Sequence, residues 1–158
     1  MSGFVEVARD AFAFLEHEYS FTVRDFSNDS GGHVTYVNVQ NGIAVKPIYD
    51  FSSAFVFVFI YRLVDGQLRD NALPITDESE ISCFDFNDVL DTDQKMKPAY
   101  EYGDDSVYYD EENGLRNYVG EFATRLKTFG GQLLSGDFTE LPRIELIIKQ
   151  RARELHRE

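Results

Sequence analysis

Cysteine is nearly absent from this chain, and Cys83 has no second thiol to pair with. An internal disulfide is excluded, and with it the staple that small secreted domains commonly need. Tryptophan is missing altogether, and only four prolines interrupt 158 residues. Long hydrophobic runs are missing too. The most apolar stretch, Ala54 to Tyr61 in "SSAFVFVFIYRLVDG", is eight residues long, whereas a helix needs ~20 to cross the hydrocarbon of a bilayer. The N-terminal "MSGFVEVARDAFAFLEHEY" interleaves Glu6, Arg9, Asp10 and Glu16 with its apolar residues. It has neither the uninterrupted apolar region nor the basic lead-in of a signal peptide. These features predict a cytoplasmic protein.

Positive charge is the next shortage. Fifteen Lys and Arg face 28 Asp and Glu, a formal net charge of −13. Nucleic acids and anionic membranes are polyanions, and like charge repels over a Debye length of ~8 Å at physiological salt. Neither is an expected partner.

Catalytic and cofactor motifs are equally scarce. No glycine-rich loop precedes a lysine, and Gly31-Gly32 and Gly130-Gly131 lack the spacing that cradles phosphate. There is no Gly-x-Ser-x-Gly elbow. His17, His33 and His156 are scattered without metal-ligand spacing. "DFNDVLDTDQ" invites a calcium-loop reading through Asp85, Asn87, Asp91 and Asp93. Counted from Asp91, however, the sixth position is Met96 instead of glycine and the twelfth is Tyr102 instead of glutamate. No cofactor or metal is expected, and Cys83 reads as a buried, inert thiol. With 28 acids any carboxylate pair can be nominated as catalytic, so none is.

What is present is enough apolar material for a core: 43% of residues are hydrophobic and 15% aromatic. This predicts one domain over residues 1–158. Phe4, Ala8, Ala11, Phe12, Leu15 and Tyr19 recur at helical spacing and predict an amphipathic helix over residues 4–19. The period then changes to two. "FTVRDF", "HVTYVNVQ" and "IAVKPIY" read as strands, with Asn41-Gly42 suited to a two-residue hairpin turn. Pro47 cannot donate to a ladder, so its strand is expected at an edge or with a bulge. In the fourth strand Phe55, Phe57, Phe59 and Tyr61 line one face and Val56, Val58 and Ile60 the other. A strand apolar on both faces is covered twice, or keeps one side for a partner. Asp65-Gly66 ends it, "QLRDNALPITDESE" reads as a long loop and "ISCFDF" as a short extended segment. Leu115, Tyr118, Val119, Phe122, Leu126, Phe129 and Leu133 predict a helix over about 110–134, softened at Gly130-Gly131. Thr139 is expected to cap a last helix with Leu141, Ile144, Ile148, Ala152 and Leu155 inward. The fold class is α+β: an N-terminal helix, an antiparallel meander of about four strands, and two C-terminal helices packed on one face of the sheet.

Charge is unevenly distributed along this frame. Residues 77–112 hold thirteen acids against Lys95 and Lys97, while the remainder has 15 acids and 13 bases. Within "PAYEYGDDSVYYDEENG", Tyr100, Tyr102, Tyr108 and Tyr109 interleave with Asp104, Asp105, Asp110 and Glu111. Tyrosine anchors interfaces with a rigid ring and a polar end, and clustered carboxylates steer toward a basic partner. These eight residues are the candidate partner-binding site, and a basic protein is the candidate partner. The competing reading is a solvated acidic loop whose tyrosines fold back onto the core.

"GDDSVYYDEENGLRNYVGEF" and "GGQLLSGDFTELPRIE", set behind a sheet ending in "FVFIYRLVDG", resemble small acidic α+β proteins of bacteria, a mostly uncharacterised group. Some of these are immunity proteins that bind and block a toxin. The resemblance implies a non-enzymatic, stoichiometric protein binder and transfers no catalytic residue. The rival class is an enzyme or small-ligand protein with a pocket between the aromatic sheet face and the helices, marked by Phe57 and Tyr61. A homo-oligomer through exposed strand surface is the third reading.

Overall fold

The computed structural model describes residues 3–156. Its centre is a five-stranded antiparallel meander in the order β1-β2-β3-β4-β5, formed by Thr22–Ser27, His33–Asn38, Ile43–Asp50, Phe55–Arg62 and Cys83–Asp85. The helices are α1 (Phe4–Ala11), α2 (Ala13–Glu18), α3 (Gly114–Phe129), α4 (Gly131–Leu134) and α5 (Leu141–His156). The α+β class is therefore as expected, with one strand more than four.

Alternation divides the sheet into two faces. Val34, Tyr36, Ile43, Val45, Val56, Val58, Ile60 and Phe84 point to the helices and join Phe4, Ala8, Phe12, Leu15, Tyr118, Phe122 and Leu126 in the main core. On the reverse face Val37, Ala44, Tyr61 and Cys83 form a smaller cluster under Leu63 and Leu68. Residues 66–82 contain no helix or multi-residue strand, yet this loop is tied to the sheet. Asn71 donates to the Cys83 carbonyl (2.6 Å) and accepts from the Ser82 and Cys83 amides, while the Tyr61 hydroxyl donates to Asp70 (2.7 Å).

Several local expectations are corrected. The first helix is two, broken at Phe12 (φ −96°, ψ 14°), and Phe12 and Leu15 are both buried. Asn41-Gly42 is not a two-residue turn: Val39–Gly42 form a four-residue connection in which, of this pair, only Gly42 has positive φ. The two-residue hairpin lies instead at Asp65-Gly66, where both φ values are positive (53° and 75°) and Val64 and Gln67 exchange backbone hydrogen bonds. Pro47 sits in an interior strand. The chain tolerates it because the β2–β3 pairing skips from His33↔Ile48 to Tyr36↔Val45, leaving a gap where the proline has no donor. The bulge is in edge strand β1, between Val23 and Asp25. The third helix begins at Gly114 and stops at Phe129, and α4 follows as a separate turn. Thr139 does not cap α5; its amide and hydroxyl both donate to Asp137 in the preceding turn. Leu155 is 65% exposed because α5 has run past the core by its last turn. Strand β4 lies between β3 and β5, with Phe55, Phe57 and Phe59 half-buried, so its reverse face is only partly covered.

Candidate functional site

From Phe86 to Asn113 the chain forms no long element. It makes four 3₁₀ turns, Phe86–Val89, Thr92–Gln94, Ala99–Tyr102 and Val107–Tyr109. Short polar side chains close them locally, as Asx and Ser residues do when they compete with regular structure. Asp85 accepts from the Asn87 amide, Ser106 from the Tyr108 amide and Asp110 from the Asn113 amide (3.1, 3.3 and 2.8 Å).

Side chains from the rest of the fold then hold the segment by its backbone. Buried Asn87 bonds reciprocally with the Met96 main chain, donating at 3.1 Å and accepting at 2.8 Å. From α3, Asn117, Tyr118 and Arg125 donate to the carbonyls of Val107, Lys97 and Gln94. Gly114 lets the segment come close to α3: a Cβ there would lie 2.4 Å from the Tyr108 carbonyl oxygen. The irregular segment is thus a fixed ledge along α3.

The four tyrosines divide. Tyr102 and Tyr108 are half-buried and begin a file of rings that crosses the molecule. Tyr102–Tyr108, Tyr108–Tyr118, Tyr118–Phe122, Phe122–Phe55, Phe55–Phe57 and Phe57–Phe59 have centroid separations of 4.9, 5.2, 5.1, 5.4, 5.1 and 5.6 Å. Burial, then the nearby Glu121 carboxylate, raises the Tyr108 phenol above its ordinary range. Tyr100 and Tyr109 remain 59% and 43% exposed. Asp104, Asp105, Asp110 and Glu111 are all exposed. Asp104, Asp105, Tyr109 and Asp110 meet around an open groove of about 470 Å³ with Val107, whereas Tyr100 stands outside it.

Val107 and Phe51 are among the exposed apolar residues that were not read from the sequence. Val107 is 63% exposed on the ledge. Phe51 is also exposed, with its ring edge-on to Tyr49 at 6.0 Å. Burial, and then the Tyr109 phenol, raise the Tyr49 hydroxyl above its ordinary range. No period marks either residue, since both lie in turns.

The acids divide as well. Asp77 pairs with Arg153 (3.6 Å) and Asp88 with Arg151, both from α5. Among the described residues, Glu101, Asp104, Asp105, Asp110, Glu111 and Glu112 have no ion-pair partner. No group of three or more His, Cys, Asp or Glu among those residues could hold a metal ion. Cys83 is buried, and that burial pushes its thiol up to about 11, well away from a reactive thiolate. No described helix is long and apolar enough to cross a membrane. Comparison with protein families, with curated proteins and with solved structures yields no match.

Proposed function

We propose that this chain is a non-enzymatic binding protein that docks its acidic ledge on a basic protein surface, in the manner of an immunity-type inhibitor that occludes a toxin's cleft. The observation that carries this reading is the set of six carboxylates between Glu101 and Glu112 that form no ion pair among the described residues. Asp104, Asp105 and Asp110 share a groove with the exposed Val107 and Tyr109, and Tyr100 is exposed outside it, on a segment whose backbone α3 fixes. Carboxylates in water steer an encounter, and exposed rings supply the desolvated contact that holds it. A preorganised ledge also loses little conformational freedom on binding. In this scheme Tyr102 and Tyr108 support the surface from below instead of touching the partner.

The test replaces only outward side chains, through Tyr100→Ser, Asp104→Asn, Asp105→Asn and Tyr109→Ser together. From extract of the native cell, wild type should retain a basic protein at low salt and release it as salt rises to ~0.5 M. The fourfold variant, folded by circular dichroism, should retain at least ~10-fold less, the equivalent of ~1.4 kcal/mol. Equal retention by the variant, or retention indifferent to salt, would overturn the proposal.

A further inference from the structure

Beside β5, the reverse face of β4 opens into a recess of about 530 Å³. Small-molecule sites span ~300–1,000 Å³. One wall is the end of the ring file, where Phe57 and Phe59 lie nearly parallel, 8° apart. Met96, Pro98 and Ile148 also line the space.

Asp85 stands against that wall, cross-strand from Phe59. Only 8% of it is exposed. Its Oδ1 accepts from the Val58 and Asn87 amides at 3.3 and 3.1 Å, and its Oδ2 has no donor among the described residues. The rim carries Asp88 and Arg151, which neutralise one another as an ion pair. Lys46 is the cross-strand neighbour of Phe59 on the opposite side, from β3. Of the other polar liners, Asn71 and Asn87 are engaged elsewhere, the first through both ends of its amide with residues 82 and 83 and the second through both ends with Met96. The buried Ser53 hydroxyl has no hydrogen-bond partner among the described residues and adds a neutral polar group to the lining. An aromatic recess with a single unsaturated carboxylate oxygen complements a hydrogen-bond donor with positive charge and an apolar body. Ring faces attract cations as well as hydrocarbon. An anion would meet Asp85 and the field of a chain of net charge −13.

We propose that this recess is a second binding site that takes an organic cation, a primary ammonium on an aromatic body, with the ammonium on Asp85 Oδ2 and the body against Phe57 and Phe59. The pH dependence follows from the same geometry. Burial, then Asp88, pushes the Asp85 carboxyl up to about 7, against the opposing pull of the Asn87 and Val58 amides and of Arg151. The Cys83 thiol facing the same space stays neutral. An ammonium needs the ionised carboxylate, so affinity rises as pH rises through this range and binding releases a proton.

The test is titration with 2-phenylethylammonium, followed through the amide NMR signals of Val58 and Asn87, alongside 2-phenylethanol and 3-phenylpropionate. The ammonium should saturate those shifts, bind at least ~10-fold more tightly than the alcohol at pH ~8, and weaken ~10-fold by pH ~6. Asp85→Asn keeps the Oδ1 acceptor for both amides and should abolish the preference for ammonium over alcohol. Phe57→Ala should weaken both ligands. The fourfold ledge variant should bind the ammonium as wild type does, which separates this site from the proposed protein interface. Alcohol or propionate binding as tightly as the ammonium, an unaltered preference in Asp85→Asn, or no saturation at all would overturn the proposal.

Discussion

Asp85 shows how much one residue's meaning depends on its surroundings. In sequence it is one of thirteen acids in a charged stretch; in the fold it is inside the molecule, closing a 3₁₀ turn and capping the free Val58 amide next to the last β4–β5 pair. Its folded pKa of about 7 lies above the unfolded value of ~3.9, so between these limits the native state holds the extra proton. Stability from this group is complete below the unfolded pKa and is lost as pH rises through the folded one, by a few kcal/mol at most. Thermal unfolding from pH ~4 to ~8 should therefore show a fall in Tm that Asp85→Asn removes, with the variant more stable than wild type at pH ~8. A parallel fall in both proteins would place the dependence elsewhere. Nothing local announces this burial, because it is made by β4, β5 and α5 together.

Helices and strands with a long period were legible, while elements set by a few atoms were not. The β4 alternation and the α3 stripe through Tyr118, Phe122 and Leu126 appear directly as buried faces. Turn chemistry was legible only in kind: Asn-Gly and Asp-Gly both signal a reversal, but pairing across Val64 and Gln67 decides which one is the two-residue hairpin. A helical turn near Asn87 to Leu90 was legible and is the 3₁₀ turn Phe86–Val89, but residues 91–110 were opaque because their 3₁₀ turns are three or four residues long and depend on side chains far away in sequence, such as Tyr118 and Arg125. For the candidate site this meant that composition suggested a ledge without saying which tyrosines face out. A glycine inside α3 and the one that caps it give an element-level test. A methyl at Gly120 meets nothing within 4 Å, so Gly120→Ala should stabilise by ~1 kcal/mol through helix propensity. At Gly130 it would meet the Leu126 carbonyl oxygen at 2.7 Å and side-chain atoms of Leu126 and Phe86. Gly130 is the cap between α3 and α4 and has no interior-helix gain to offset that crowding, so Gly130→Ala should lower the denaturant midpoint. Equal effects of the two would mean that the α3–α4 junction is looser than its packing indicates.

For the whole molecule, folding rearranges the charge that the sequence segregates. Basic residues of α5 reach Asp77 and Asp88, so the acidic stretch is partly neutralised at one end and bare at the ledge. Exposed pairs of this kind contribute ~0–1 kcal/mol each, and several of the eight that the described residues form are solvent-exposed. Self-repulsion at a net charge of −13 acts on every acid at once. Raising salt from ~0.05 to ~0.5 M should consequently raise the Tm by a few degrees, because screening relieves more repulsion than attraction. A Tm that falls with salt would show that the pairs dominate. The ring file has a consequence of its own. With no tryptophan to mask them, Tyr102, Tyr108 and Tyr118, locked edge to face at 4.9 and 5.2 Å, share their electronic transitions. The near-ultraviolet dichroism of the unlabelled protein is then an optical gauge of how tightly the ledge is seated on its helix.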